Sequence, residues 1–228
     1  GVVNYVTVAA AAEEDVWTGK LLAQISASND FQGDGYEYRT GAVAGRDFGL
    51  LDLTLGISAQ TRGAYYSGDG RRVGIDGAQG EVQDSTSLSF FAKAGYDLGD
   101  SRRLELMAQH FELEGDGDYV LVSGSRATNT PATTVRGNQE GEIPTNKVLT
   151  TSLTYTDKDL AGGLLTGQVF FQDFEAVYGG GVFDTFQDPA IDPTGTLFDQ
   201  SANNSEKMGL RLSYERALDA VPGLNVTG

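Results

Sequence analysis

Strict alternation of apolar and polar residues is the sequence feature that most limits what this chain can fold into. In residues 51–60, Leu, Ile and Ala alternate with Asp, Thr, Gly, Ser and Gln, and residues 85–98 and 207–215 repeat this pattern. Because successive side chains of a β-strand point to opposite faces, each run predicts a strand with one apolar and one polar face. Weaker runs of the same kind cover residues 17–28, 36–47, 103–114, 147–156 and 163–175. We therefore expect eight strands, and the start of a ninth at Leu224.

The connections between these strands alternate in length. Short connections lie around residues 46–49, 97–100, 157–162 and 217–223. Long connections, rich in Gly, Asp, Asn, Thr and Pro, cover residues 63–84, 115–146 and 176–204. Antiparallel strands with tight turns at one end and long loops at the other are typical of an antiparallel transmembrane β-barrel with short periplasmic turns and long extracellular loops. The predicted fold class is thus all-β.

A soluble β-sandwich or small soluble barrel is the alternative, since it also has alternating strands. Strands of about 10 to 14 residues favour the membrane barrel, because tilted spanning strands are longer than the usual strand. Charges lie in the middle of the polar faces, where a dry core would penalise them: Lys93, Arg103, Glu105 and Arg211. Aromatic residues near strand ends suit the two interfacial girdles: Trp17, Tyr36, Tyr38, Tyr96, Tyr155, Phe174, Tyr178 and Tyr214.

Charge and composition exclude several functions. With 32 acidic and 16 basic residues the formal charge is −16, which repels phosphates and argues against a nucleic-acid partner. The chain has no Cys and a single His, His110, so thiol catalysis and a histidine metal centre are excluded. It contains no nucleophile elbow, zinc-protease motif, P-loop or dinucleotide fingerprint. We expect neither an enzyme nor a bound cofactor.

The opening residues Gly1-Val2-Val3-Asn4-Tyr5-Val6-Thr7 resemble the last strand of the plug domain in TonB-dependent outer-membrane receptors, which has the pattern Gly-φ-φ-Asn-φ-φ-Thr. In that family a short connector leads from this strand into the barrel. The segment Trp17-Thr18-Gly19-Lys20-Leu21 resembles the entry into the first barrel strand. The segments 94–98 and 210–216 resemble barrel strands that meet periplasmic turns.

The resemblance implies residues 1–8 as the last plug strand, 9–15 as a connector and 16–228 as the N-terminal part of a barrel of about 22 strands. It also implies a function. Such receptors, of the siderophore or iron-chelate type, take up a ferric siderophore or similar chelate across the bacterial outer membrane, driven by the TonB complex through an N-terminal region. The implied surroundings are outer-membrane lipid and lipopolysaccharide.

Two sets of residues are candidates for substrate binding. Polar side chains on the faces predicted to line the lumen could contact an anionic chelate, although a lumen wall is polar wherever water is present. They are Arg39, Gln60, Arg103, Gln109, Gln168, Gln172 and Arg211, beside Lys93 and Glu105. Loop aromatics could stack on a planar ligand or anchor the interface: Tyr65, Tyr66, Phe183 and Phe198.

Four acidic residues recur at every second position: Glu112, Glu114, Asp116 and Asp118. On an extended strand they would share one face, and such hard oxygen ligands suit calcium. The calcium-loop pattern fits poorly, because the Gly at its sixth position and the Glu at its twelfth are missing. The pattern favours a solvated acidic loop base over an ion site.

Two other functions remain open. One is a complete eight-stranded outer-membrane barrel with a structural or pore-forming role, which requires the strands near 17–28 and 204–216 to pair. The other is a soluble carbohydrate-binding β-protein, which would stay monomeric without detergent.

Overall fold

The chain forms a long antiparallel sheet in the computed structural model. Residues 15–28, 31–75, 83–139, 141–183, 197–217 and 225–227 are described, with side chains except at 179–183, 197–199 and 225–227. The strands are β1 (Thr18–Ser26), β2 (Glu37–Asp47), β3 (Leu51–Arg62), β4 (Ser85–Asp97), β5 (Arg102–Gly115), β6 (Tyr119–Val122), β7 (Thr133–Arg136), β8 (Thr145–Leu160), β9 (Gly163–Phe183), β10 (Leu197–Ala217) and β11 (Asn225–Thr227).

Nine of these strands form one sheet in the order β1-β2-β3-β4-β5-β8-β9-β10-β11, and all neighbours are antiparallel. The predicted eight strands and the start of a ninth are confirmed, although Leu224 itself lies outside the described residues. The turns between β2 and β3, between β4 and β5, and between β8 and β9 are short and share one edge of the sheet. The predicted plug strand, residues 1–8, and the predicted connector, residues 9–15, also lie outside the described part, except for Asp15.

Two predicted loops were wrong in extent. Strands β9 and β10 each have 21 residues and pair well into the segment expected to be a loop, with a bulge at Asp199 and Gln200. The loop at 115–146 contains a separate hairpin of β6 and β7. Ladder pairing stabilises the Gly-rich end of β9 in spite of its weak strand propensity. The hairpin strands have four residues each, which is too short for alternation to be diagnostic.

The apolar face of the sheet is exposed and the polar face is partly buried, which is the reverse of the arrangement in a soluble protein. Large apolar side chains on one face are exposed, among them Leu21 at 89%, Ile57 at 54% and Leu210 at 71%. On the opposite face, small polar side chains are buried, including Thr54 and Ser152. We call the apolar face outward and the polar face inward. The predicted alternation is confirmed, and the outward face requires an apolar environment.

A packed hydrophobic core is nearly absent from the described residues. The buried apolar side chains are Ala64, Ile75, Tyr119 and Ala176. Three of these lie in connections or in the β6–β7 hairpin. The inward face is therefore held together by strand pairing and polar contacts, and apolar packing concentrates at the loop end of the molecule.

Aromatic residues form part of the expected girdle. Tyr96, Tyr155 and Tyr214 lie on the outward face beside the short turns, as the register requires. Trp17 packs edge to face against Phe48 at 6.2 Å between ring centroids, also near these turns. By the same register, Phe174 and Tyr178 point inward, so their assignment to a girdle was wrong. Position near a strand end does not determine which face a side chain occupies, whereas the alternation from Gln172 already places Phe174 on the inward face.

The sheet is open in the described part of the chain. Strand β1 pairs with β2 alone, whereas β10 pairs with β9 and β11. The pairing between β1 and β10 that a complete eight-stranded barrel requires is not formed among these residues. No helix among the described residues is long and apolar enough to cross a membrane.

Candidate functional site: the inward face and the loop cluster

The strand register brings the predicted polar candidates onto one surface. Arg39 lies opposite Gln60, and Gln109 lies opposite Phe91 and Thr150. Gln172 pairs with Thr150 in turn, and Gln168 pairs with Arg211. All seven predicted side chains therefore share the inward face, because residues directly opposite one another across a ladder point the same way.

Several of these candidates are engaged within the wall itself. Arg103 forms ion pairs with Asp52 and, at 3.0 Å, with Asp97. Gly95 lies beneath this guanidinium group, and a Cβ at that position would overlap it. The sequence pattern marked Arg103 as a possible ligand contact but could not identify its two carboxylate partners. Its role in this geometry is to link three neighbouring strands.

The amide side chains behave similarly. Gln60 donates to Glu37 and accepts from Arg62 at 2.7 Å. Gln168 donates to Thr154 at 3.1 Å, and Gln172 donates to Thr150 at 3.5 Å. Such cross-strand bonds satisfy polar groups on the wall and leave less capacity for a ligand.

Other inward cations have no ion-pair partner among the described side chains. These are Lys20, Arg39, Arg62, Lys207 and Arg211, of which Arg62 instead donates hydrogen bonds to Gln60 and Ser87. Arg211 lies over the Phe170 ring at 5.0 Å from its centroid, a cation–π contact that preserves its charge. By contrast, the inward Lys93 is neutralised by Glu105 at 2.8 Å. The inward face thus has charge available for an anion on β1, β2 and β10.

A hollow of about 450 Å³ lies on the inward face between β1 and β5. Its floor consists of small residues, with Gly41 and Gly56 at the centre. Lys20, Arg39 and Phe91 stand at its sides, and Gln109 also lines it. Two uncompensated cations, an amide and a ring around a concave surface are suited to an anionic or carboxylate-bearing group.

The outward face has the opposite electrostatic character. Above its apolar belt, towards the long loops, the register aligns a band of carboxylates with Lys147 as their neighbour. The band comprises Glu112, Glu114, Asp173, Glu175 and Glu206. The strong acidity of the chain is therefore unevenly distributed, and the inward face retains unpaired positive charge.

The second candidate region lies at the long-loop end. Three connections pack together here, formed by residues 31–36, by 63–75 with 83–84, and by 115–139 with the β6–β7 hairpin. Backbone bonds join them, for example from Ala64 N to Asp34 O at 2.8 Å and from Asp116 N to Asp84 O at 2.8 Å. We call this unit the loop cluster. It lies beyond the carboxylate band, outside the apolar belt.

Arg72 is the hub of the loop cluster. Its guanidinium group forms an ion pair with Asp34 and donates to the Tyr66 hydroxyl at 2.9 Å and the Tyr119 hydroxyl at 3.1 Å. The Tyr119 hydroxyl donates to Asp34 at 3.0 Å, and Tyr66 also donates to Asp34. One carboxylate and one guanidinium thereby join all three connections.

The predicted loop aromatics have different environments. The Tyr66 hydroxyl is hydrogen-bonded to Asp34 and Arg72 inside the loop cluster. Burial raises the pKa of Tyr66 above its ordinary value, and the neighbouring Tyr119 raises it further. Tyr65 remains 39% exposed at the surface of the same connection. Phe183 and Phe198 lie in β9 and β10 at positions whose side chains are outside the described ones. Tyr65 is thus the aromatic candidate placed to meet a ligand.

The predicted acidic run does not act as one face. Strand β5 ends at Gly115, so Glu112 and Glu114 stay on the outward face while Asp116 and Asp118 enter the loop cluster. Glu112 is paired with Lys147 at 2.6 Å, and Asp118 with Arg136 at 2.6 Å. Among the described residues, no group of three or more His, Asp or Glu side chains is arranged to hold a metal ion. The expectation of a shared face was wrong because the strand stops midway through the run.

Asp84 is a functional candidate that the sequence did not indicate. It is only 8% exposed, and Asp116 and Asp118 lie close to its carboxyl group. Burial, followed by the charge of Asp118, raises its pKa to about 7, and Arg136 opposes this increase. The pKa of Asp116 is also raised, first by burial and then by Asp118. Only packing of separate connections creates this site, so local sequence gives no signal of it.

Known proteins similar to this chain are receptors for iron chelates. It is 28% identical over 178 residues to the ferric aerobactin receptors of Klebsiella pneumoniae and of Escherichia coli, covering 76% of this chain and 23% of each receptor. It is 27% identical over 164 residues to the rhizobactin receptor of Rhizobium meliloti (strain 1021), covering 70% of this chain and 21% of that receptor. The predicted resemblance to siderophore receptors is confirmed.

The chain spans less than a quarter of the length of these relatives. No family model matches it, and no solved structure matches it significantly. All three relatives are named as receptors.

Proposed function

We propose that this chain is part of a TonB-dependent receptor that actively takes up a ferric siderophore across the bacterial outer membrane. The observation that carries the proposal is its similarity to ferric aerobactin and rhizobactin receptors over 70% or more of its length. Active transport requires energy from the TonB complex, contacted through an N-terminal region, as the resemblance of the opening segment implies.

The reversed sheet supports the membrane location. An exposed face carrying side chains such as Leu210 and Met208, at 71% and 83% exposure, would aggregate in water but is stable against lipid tails. Strands β9 and β10, at about 3.3 Å per residue, are each roughly 70 Å long, well beyond the ~30 Å hydrocarbon thickness. Their loop ends therefore extend outside the bilayer, where the outer-leaflet lipopolysaccharide and the external substrate are found.

The inward face supports an anionic substrate. Lys20 and Arg39 flank the hollow on β1 and β2, and Lys207 and Arg211 lie on β10. In a low-dielectric surrounding, unpaired cations attract carboxylate or oxyanion groups more strongly than they do in bulk water. A ferric chelate with net negative charge matches this surface, whereas the acidic outward band would repel it.

The barrel of this proposal is large. Nine strands in an open sheet fit as one part of a barrel of about 22 strands, with a plug inside it and residues 1–8 as the end of that plug. Two rivals are less well supported. The small eight-stranded barrel needs a pairing of β1 with β10, and the soluble carbohydrate-binding protein needs a buried apolar face.

An uptake assay tests the proposal. The full-length gene that encodes this chain would be expressed in a receptor-null strain supplied with radioactive iron bound to aerobactin, to rhizobactin or to an unrelated chelate. We expect energy-dependent accumulation of iron from a siderophore, abolished by deletion of TonB or by an uncoupler. Iron accumulation that is unchanged by the gene, for every siderophore tried, would contradict it.

The inward cations provide a sharper version of this test. The double variant Lys20→Gln with Arg39→Gln should reduce uptake several-fold while leaving the amount of folded receptor unchanged. Lys158→Gln, near the short-turn end of β8, is the matched control and should behave as wild type. Equal uptake by all three proteins would remove the inward cations from the proposed pathway.

A further inference from the structure

The loop cluster contains a set of carboxyl groups that outnumber their cationic partners. Asp84 lies just before β4, and Asp116 and Asp118 lie between β5 and β6. The titratable and charged groups facing Asp84 among the described residues are these two carboxyls and Arg136 of β7. Three carboxyl groups therefore share one guanidinium group.

The geometry makes full ionisation unfavourable. The carboxyl groups of Asp84 and Asp118 lie close enough to interact electrostatically, and two like charges held there repel each other unless one group is protonated. One oxygen of each, Asp84 Oδ2 and Asp118 Oδ1, is buried without a hydrogen-bond partner. Arg136 is 69% exposed and already bonds the other oxygen of Asp118, so it does not compensate both charges.

These groups lie at the contact between the β3–β4 connection and the β6–β7 hairpin. Asp84 accepts a backbone bond from Asp116 and donates one to Gly63. Gly137 N donates to Asp118 O at 3.0 Å, which ties the end of the β6–β7 hairpin to the same place. Repulsion between Asp84 and Asp118 would therefore act directly on the packing of the hairpin against the β3–β4 connection.

We propose that the loop cluster is a proton-dependent closure, in which a proton on the buried carboxyl group of Asp84, beside Asp118, holds the β6–β7 hairpin against the neighbouring connections. Loss of the proton leaves like charges in contact and favours opening. Any effect of this closure on siderophore binding rests on the proposed function, whereas the closure itself does not depend on it.

The direction of the pH dependence follows from linkage. The pKa of Asp84 is raised from 3.8 to about 7 in the closed state, and that of Asp116 is raised as well. The closed state therefore binds protons more tightly than the open one. Closure is most stable below about pH 4, weakens as the pH rises towards 7, and stays at its lower value above pH 7. The opening constant rises at most about tenfold per pH unit in that window for one coupled proton.

Hydrogen–deuterium exchange of the full-length receptor in detergent, without siderophore, tests this closure. Protection factors of the Asp116, Gly137 and Gln139 amides, corrected for intrinsic rates, should fall between pH 5 and pH 7.5 in the wild type. Asp84→Asn keeps the shape and removes the charge, so its protection should stay high and flat across the same range. Asp69→Asn, an exposed residue of the same β3–β4 connection, is the matched control and should keep the wild-type profile.

Three results would overturn the proposal. One is a flat profile in the wild type, and another is an unchanged slope in Asp84→Asn. The third is restoration of wild-type protection at pH 7.5 by added Ca²⁺ and its loss with a chelator, which would assign the site to a cation instead of a proton. If Asp84→Asn folds poorly, Asp116→Asn should flatten the profile in part.

Siderophore affinity then separates this inference from the proposed function. The ratio of wild-type to Asp84→Asn siderophore affinity, which cancels protonation of the ligand, should change between pH 7.5 and pH 5.5. Exchange that follows the prediction with no siderophore binding at any pH would leave the closure standing and contradict the uptake role.

Discussion

At the scale of single residues, Arg72 is the side chain on which the loop end depends most. It contacts Asp34 and two tyrosine hydroxyls, and its guanidinium group also lies 4.4 Å from the centroid of the Tyr119 ring. Its side chain is 21% exposed and that of Asp34 is 27% exposed, so water replaces these contacts only in part. At Gly95 it is the absence of a side chain that matters, because a Cβ there would overlap the Arg103 guanidinium group and prevent its ion pair with Asp52.

Removing Arg72 should loosen the loop cluster without unfolding the sheet. Arg72→Ala removes the donor that the Asp34 carboxylate and the two tyrosine hydroxyls share, which should cost about 1–3 kcal/mol of local stability. Limited proteolysis should cut the β3–β4 connection faster in this variant. Arg126→Ala, an exposed arginine of the β6–β7 hairpin, should be cut at the wild-type rate, and identical digestion of both variants would refute the role of Arg72.

At the scale of elements, alternate residues of each strand face two different environments, the apolar surroundings of the outward face and the polar inward face. On β10, Met208, Leu210 and Leu212 are strongly exposed on the outward face, while the adjacent Lys207 and Arg211 point inward. The hydrogen-bonded ladder keeps this separation, because a shift of one residue would reverse every side chain. The long pairing of β9 with β10 makes that register especially secure.

Neighbouring residues on β10 should therefore respond very differently to substitution. Leu210→Arg places a charge against lipid and should destabilise the barrel by about 2–4 kcal/mol if the position is near the bilayer midplane. Arg211→Gln removes a charge from the inward face and should change stability little. Urea titration of the full-length receptor in lipid vesicles measures both, and equal sensitivity of the two positions would show that the faces are assigned wrongly.

At the scale of the whole molecule, the distribution of charge and apolar surface determines where the protein is stable. The apolar belt needs lipid, the loop cluster lies beyond it, and the unpaired inward cations contrast with a chain of formal charge −16. Few apolar side chains are buried among the described residues, so this part of the chain lacks the kind of core that keeps a soluble domain folded in water.

This architecture predicts that the 228-residue chain depends on an amphiphile. Expressed alone, it should sediment or aggregate in detergent-free buffer, because exposed leucine, isoleucine and phenylalanine side chains associate with one another. Detergent micelles should keep it dispersed, as analytical ultracentrifugation can show. A stable monodisperse monomer without detergent would favour the soluble carbohydrate-binding alternative over the membrane barrel.

The sequence alone determined the strand order, the alternation of short and long connections, and which residues share the inward face. These features follow from the alternation of apolar and polar residues, which is a local pattern and can be read without knowing which residues are in contact in the fold. Arg39 and Gln109 were correctly expected to lie on one polar surface for this reason. The similarity to siderophore receptors was also accessible from the opening segment and the hairpin pattern.

Only the tertiary structure decided which polar residues are neutralised and which remain available. Arg103 acquired two carboxylate partners from other strands, and Tyr66 was taken into the loop cluster, whereas Lys20 and Arg39 kept their charges. Asp84 became a proton-binding candidate because connections distant in sequence buried it beside Asp118. Burial and electrostatic coupling depend on distances across the fold, and those distances are not contained in any single stretch of sequence.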